Sequence, residues 1–114
     1  MNESPLRITM TGEGDTRVVE VTGEVDLTSS PQLRAKMLEL IERYKGLLVV
    51  DLAGVDYMDS SGVGTMVELK RRVERQGGRV VLARLQPRVR SVFEITQLDK
   101  FFTIVDDLDA ARRA

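Results

Sequence analysis

The sequence predicts an α/β fold, a single domain over residues 1–114 with a mixed, mostly parallel sheet of about five strands and about four helices. Three observations predict it. Short apolar runs such as Leu47–Val50 alternate with stretches whose apolar residues recur at helical spacing. Strands that alternate with helices imply parallel βαβ units with right-handed crossovers. A glycine-rich turn near the N-terminus joins two further strands, which makes the sheet mixed.

The elements follow in order. Leu6 to Met10 is a short strand with Leu6, Ile8 and Met10 on one side. Gly12-Glu13-Gly14-Asp15 is a turn, and Arg17 to Val21 is the second strand of a hairpin. Gly23 to Thr28 is a connection. Ser29-Ser30-Pro31 opens a helix, with a hydroxyl N-cap and a proline in the first turn. Leu33, Met37, Leu40, Ile41 and Tyr44 line that helix, and Gly46 ends it. Leu47 to Val50 is apolar on both faces, as a strand covered on each side must be. A second helix runs from about Ser61 to Gln76, with Gly62, Met66, Leu69 and Val73 along one face, and Gly77-Gly78 stops it. Arg79 to Leu85 is a strand, and Pro87 opens a helix bearing Val89, Val92 and Phe93. Leu98, Phe101 and Phe102 form an apolar cluster before the last short strand, Thr103-Ile104-Val105. Asp107 caps a terminal helix through Ala111.

Composition removes several function classes. The chain has no Cys, which excludes disulfides, thiol catalysis and Cys-based zinc sites. It has no His, the usual general base and a common metal ligand, so a Ser-His-Asp triad cannot form. A net charge of -1 and 4% aromatics argue against direct nucleic-acid binding. No apolar run approaches the about 20 residues of a membrane helix, so no membrane insertion is expected. Met1 to Arg7 lacks the layout of a signal peptide, and a cytoplasmic location is expected.

The most informative stretch is Asp59-Ser60-Ser61-Gly62-Val63-Gly64, where a strand hands over to a helix. The first N–H groups of a helix lack partners within it and face the positive end of its dipole, which suits an anion. A nucleotide loop is a poor match: position 67 is Val67 where the dinucleotide motif needs glycine, and there is no Gly-Lys-Ser/Thr triplet. A phosphorylated Asp51 would need further carboxylates around Mg²⁺. Asp26 and Asp56 are candidates, but Asp51 reads better as a residue that satisfies loop backbone. A nucleophilic serine lacks a base, and no cofactor is expected. A serine that receives phosphate from another enzyme needs only an exposed hydroxyl. Ser60 and Ser61 both qualify, with Ser61 a plausible N-cap and Ser60 placed to set a phosphate against the unpartnered N–H groups.

At these residues the chain resembles the STAS domains of bacterial anti-sigma factor antagonists, over nearly its whole length. Thr22-Gly23-Glu24-Val25-Asp26 resembles the family's TGELD element. Val50-Asp51-Leu52, then Val55 through Gly64, resemble its signature, of which Asp59-Ser60-Ser61-Gly62 is the most specific part. Gly78 to Leu82, Pro87-Arg88-Val89 and Phe93 to Asp99 match its later pattern, while Val25 and Val63 stand where leucine is commoner. The resemblance implies a non-enzymatic partner switch. The unphosphorylated protein binds an anti-sigma factor serine kinase and frees the sigma factor. The kinase then phosphorylates Ser60, which ends binding, and a PP2C-type phosphatase resets the switch. It implies partner-binding roles for Asp26, Asp59, Ser60, Ser61, Gly62, Val63 and Gly64. The alternative is a constitutive STAS subunit of a lipid-transport or stress-signalling complex, in which Ser60 only caps the helix.

Overall fold

Strand and helix alternate in a computed structural model that describes residues 6–12 and 14–114. In chain order the elements are β1 (Arg7–Thr11), β2 (Thr16–Val25), α1 (Ser30–Leu40), β3 (Leu47–Met58), α2 (Ser60–Arg75), β4 (Arg79–Ala83), α3 (Pro87–Ile95), β5 (Thr103–Val105) and α4 (Leu108–Arg113). The five strands lie in the sheet in the order β1-β2-β3-β4-β5. β1 and β2 form the antiparallel hairpin, and every later neighbour is parallel. The turn between β1 and β2 places Gly12 and Gly14 at φ 93° and 67°, a region open to glycine, while Glu13 of that turn lies outside the described residues.

Right-handed crossovers that always step toward the same edge bring α1, α2 and α3 to one face of the sheet. The packing agrees. Leu33 and Met37 of α1, Met66, Leu69 and Val73 of α2, and Val89 and Phe93 of α3 share one core with Val19, Val21, Leu48, Val50 and Leu82 of the strands. Alternate strand residues Val18, Val49 and Val81 point the other way and pack with Ala111 of α4. That accounts for the uninterrupted apolar run at Leu47–Val50: both of its faces are covered.

Several boundaries differ from the sequence expectation, among them the end of β4, which stops at Ala83 and not Leu85. β2 continues through Gly23 to Val25, and β3 continues past Val50 to Met58. Their ladder runs on to Val25↔Met58 with two register shifts, which carry the glycines and polar residues that read as loop. α1 stops at Leu40 without a glycine. Ile41 is its C-cap, Arg43 turns the chain at φ 61°, and the Tyr44 hydroxyl donates to the Leu47 carbonyl at 2.8 Å. Gly46 serves a different need. A Cβ there would collide with the Asp15 carbonyl, which accepts from Leu47 N–H at 2.7 Å.

Candidate functional site

β4 ends at Ala83, opposite Asp51, so β2 and β3 run on together to the start of α2. Asp59 joins the two elements. Its N–H donates to the Val25 carbonyl at 3.1 Å. Its carboxylate Oδ1 accepts from Ser61 N–H at 2.9 Å and from the Ser61 hydroxyl at 2.5 Å. Its own carbonyl accepts from Gly62 N–H at 3.0 Å and Val63 N–H at 3.2 Å. Asp59, and not Ser61, is therefore the N-cap, and the helix starts one residue earlier than the sequence pattern indicates.

This geometry corrects the picture of an open anion site. The N–H groups of Ser61, Gly62 and Val63 are all engaged, and a carboxylate already occupies the positive end of the helix. Ser60 is the first helical residue and is exposed. Among the described residues, none forms a hydrogen bond with its hydroxyl. Ser61, by contrast, is half-buried, with its hydroxyl tied to Asp59.

The glycines divide in role. A Cβ on Gly62 would stand 2.6 Å from Met58 Cγ and 2.7 Å from Val25 Cγ1, so this residue lets α2 press onto the strand ends. Val63 is buried in the main core beside it. Gly64 has no such reason: it is exposed, and a Cβ there would meet nothing within 4 Å. A glycine inside a helix costs about 1 kcal/mol relative to alanine, so Gly64 weakens α2 without easing any contact in the fold.

Asp26 lies at the end of β2, one residue beyond Val25 as Asp59 lies one beyond Met58, and that register brings the two carboxylate residues to the same end of the sheet. A single oxygen of Asp26, Oδ1, accepts from Thr28 N–H at 2.9 Å, the Thr28 hydroxyl at 2.7 Å and Ser29 N–H at 2.9 Å. Ser29 is the N-cap residue of α1, but its hydroxyl does not cap; it donates to the Glu24 carbonyl at 2.7 Å and accepts from Asp26 N–H at 2.9 Å. The Thr28 hydroxyl, followed by Ser29 N–H, holds the Asp26 carboxyl below its ordinary value of 3.8. A carboxyl lowered in the folded state adds stability above pH 3.8, and that contribution is lost as pH falls through the lower folded value. The turn carries Leu27, 75% exposed, a residue the sequence pattern passed over because it sits in a polar loop.

Asp51 plays no part at this surface. It is 2% exposed within β3, accepts from Ala53 N–H at 3.1 Å, and receives both Nε and Nη2 of Arg84, at 3.1 Å and 2.6 Å. Among the described residues, no group of three acidic side chains is placed to hold a metal ion. Arg34 binds Glu68 with two hydrogen bonds at 2.7 Å and 2.8 Å, tying α1 to α2 behind the site. That partnership, above all its hydrogen bond, holds the Glu68 carboxyl below its ordinary range.

Asp59→Ala should cost about 1 kcal/mol of stability by removing the cap, while Asp59→Asn, which keeps the acceptor, should cost less. Urea denaturation of the two variants checks this, and equal losses would contradict it.

The STAS domain profile matches residues 7–111. The chain belongs to the STAS domain family. This STAS domain is 38% identical over 86 residues to the anti-sigma-B factor antagonist of Bacillus subtilis (strain 168), a match that covers 75% of this chain and 78% of that one. An anti-sigma factor antagonist from Mycobacterium paratuberculosis shares the fold with a TM-score of 0.85 at 24% identity, over 95% of this chain and 92% of that one. The unphosphorylated form of the anti-sigma factor antagonist SpoIIAA superposes with a TM-score of 0.77 at 28% identity, over 94% and 95% of the two chains. The same Bacillus cell-fate determinant in its phosphorylated form gives a TM-score of 0.68 at 28% identity, over 95% of this chain and 97% of that one.

Proposed function

We propose that residues 1–114 form one STAS domain that acts as an anti-sigma factor antagonist and is switched by phosphorylation of Ser60. The unphosphorylated protein binds an anti-sigma factor serine kinase, and the sigma factor is released. Phosphate on Ser60 ends the binding, and a PP2C-type phosphatase restores it. The protein is a regulator without catalysis of its own, working in the cytoplasm. The observation that carries this reading is the contrast between the two serines: Ser60 offers an exposed hydroxyl at the helix start that no described residue engages, while the Ser61 hydroxyl is locked to Asp59.

Two further observations support it. SpoIIAA, with the same fold, exists in phosphorylated and unphosphorylated forms. Gly64 lies one helical turn beyond Ser60 and leaves bare backbone on the surface, at a cost to the helix that a closely approaching partner would justify. In this reading Ser60 and Gly64 meet the partner, with Asp26, Asp59 and Ser61 beside them. Gly62 and Val63 are buried and support the surface from beneath.

The test is incubation with the kinase and ATP followed by intact mass measurement. The wild-type protein should gain one phosphate, Ser61→Ala should gain it too, and Ser60→Ala should gain none. No gain in the wild type, or a gain that survives Ser60→Ala, would sink the proposal.

A further inference from the structure

We infer that Leu27 is a specificity-determining residue for the kinase, and that Asp26 is the positioning residue that holds it out. The inference rests on the partner switch proposed above and deepens it. Leu27 is 75% exposed, in a chain that buries most of its large apolar residues. An exposed leucine on a mobile loop would be unremarkable, but this one sits in a closed knot. The two residues after it are both bound to Asp26 Oδ1, and Ser29 N–H and Ser30 N–H also donate to the Asp26 carbonyl, at 3.2 Å and 2.8 Å. Ser29 ties the same turn back to Glu24.

The knot fixes the backbone of Leu27 before any partner arrives, so little loop entropy remains to be lost on binding. Its place is also set. Val25 is paired with Met58 and accepts from Asp59 N–H, so the turn that follows Val25 stands beside the residue that precedes Ser60. On this inference, the surface that closes over the Ser60 hydroxyl covers Leu27 as well. The occupant this fits is the kinase face that presents ATP to Ser60, carrying a shallow apolar pocket. The surrounding side chains define the rim: Glu24, Asp56 and Asp59 lie at this end of the β2–β3 ladder, the Asp26 carboxylate is engaged by its own turn, and segments 18–33 and 46–69 contain no Lys or Arg. A pocket that accepts Leu27 is accordingly edged by hydrogen-bond donors and cations.

Asp26 has an unusual signature that separates its role from a simple charge contact. Among the described residues, all of its side-chain hydrogen bonds end on Oδ1. Asparagine keeps one such oxygen and loses the charge, whereas alanine loses both. If Asp26 acts through Leu27, Asn should substitute for it and Ala should not.

The experiment is steady-state phosphorylation of the full chain by the kinase, with KM and kcat measured separately and folding followed by thermal denaturation. Leu27→Ala should raise KM about tenfold, the loss expected when an anchoring side chain is truncated, with kcat and the thermal midpoint unchanged. Leu27→Met should restore KM to near the wild-type value. Asp26→Ala should raise KM as Leu27→Ala does and also lower the thermal midpoint, because it breaks the turn, whereas KM in Asp26→Asn should stay near the wild-type value. An unchanged KM in Leu27→Ala, while the wild type is phosphorylated on Ser60, overturns the inference and leaves the proposed function standing. Equal damage from Asp26→Asn and Asp26→Ala overturns the positioning role, because the charge itself would then meet the partner. A wild-type protein that takes no phosphate at Ser60 overturns both the inference and the function on which it rests.

Discussion

Arg84→Ala is expected to lower folding stability by about 3 kcal/mol, because it strands a buried carboxylate. Asp51 is 2% exposed in the middle of β3, and without Arg84 its carboxylate keeps, among the described residues, only the Ala53 amide. Loss of one partner from a buried pair costs about 3–5 kcal/mol, and the 42% exposure of the Arg84 side chain lets in some water, which puts the loss at the lower end. The pair holds the turn after β4 against β3 at the point where β4 stops, and Gln86 assists by donating Nε2 to the Ala53 carbonyl at 2.8 Å. Arg84 does this from φ 61°, a backbone region unfavourable for a non-glycine residue, so the ion pair also holds a mildly strained turn in place. Asp51→Asn on the Arg84→Ala background should recover part of the loss, since the unpaired charge is what costs most. Urea denaturation of the single and double variants checks both points; a loss below about 1 kcal/mol for Arg84→Ala would place the pair with ordinary surface ion pairs.

The second large effect is on binding. On the proposed function, phosphorylated protein should bind the kinase at least about 100-fold more weakly than unphosphorylated protein, a difference of about 2.7 kcal/mol. Phosphoserine brings about −1.5 to −2 charges. The sequence alone invites the idea that unpartnered helix amides would absorb this charge. They are engaged: Asp59 caps Ser61 N–H with its carboxylate and takes Gly62 and Val63 N–H with its carbonyl. A phosphate on Ser60 therefore stays hydrated beside an existing carboxylate, and seating it under the face that presents nucleotide phosphate to the same hydroxyl strips that hydration and sets like charges together, which costs several kcal/mol. Ser60→Asp should show a smaller loss of about tenfold, with one charge and a shorter reach. Calorimetric titration of the kinase with each form decides the matter, and equal affinities would remove the repulsion mechanism.

How far the sequence discloses this arrangement depends on the kind of signal. The number, type and order of elements were legible, because apolar runs and helical spacing differ plainly at Leu47–Val50 and along Met66, Leu69 and Val73. The far halves of β2 and β3 were not. Gly23, Gly54 and Asp56 carry loop chemistry, and their strand character comes from pairing with each other's strand, a non-local fact. The cap was ambiguous for a related reason. Asp59 and Ser61 are both good capping residues, and the strand extension to Met58 decides between them. The closeness of Asp26 to Asp59 follows from the Val25↔Met58 register and cannot be read from either segment alone. Leu27 was missed because an exposed leucine gives no periodic signal.

The strand order β1-β2-β3-β4-β5 has a bearing on how the chain is made. Each strand pairs with the one synthesised just before it, so assembly can keep pace with the ribosome and no edge waits for a segment still to come. One face is the exception. Val18, Val49 and Val81 lie uncovered until Ala111 arrives with α4, the last element of the fold. The growing chain thus completes its sheet and the start of α2 first, and closes its second apolar face last.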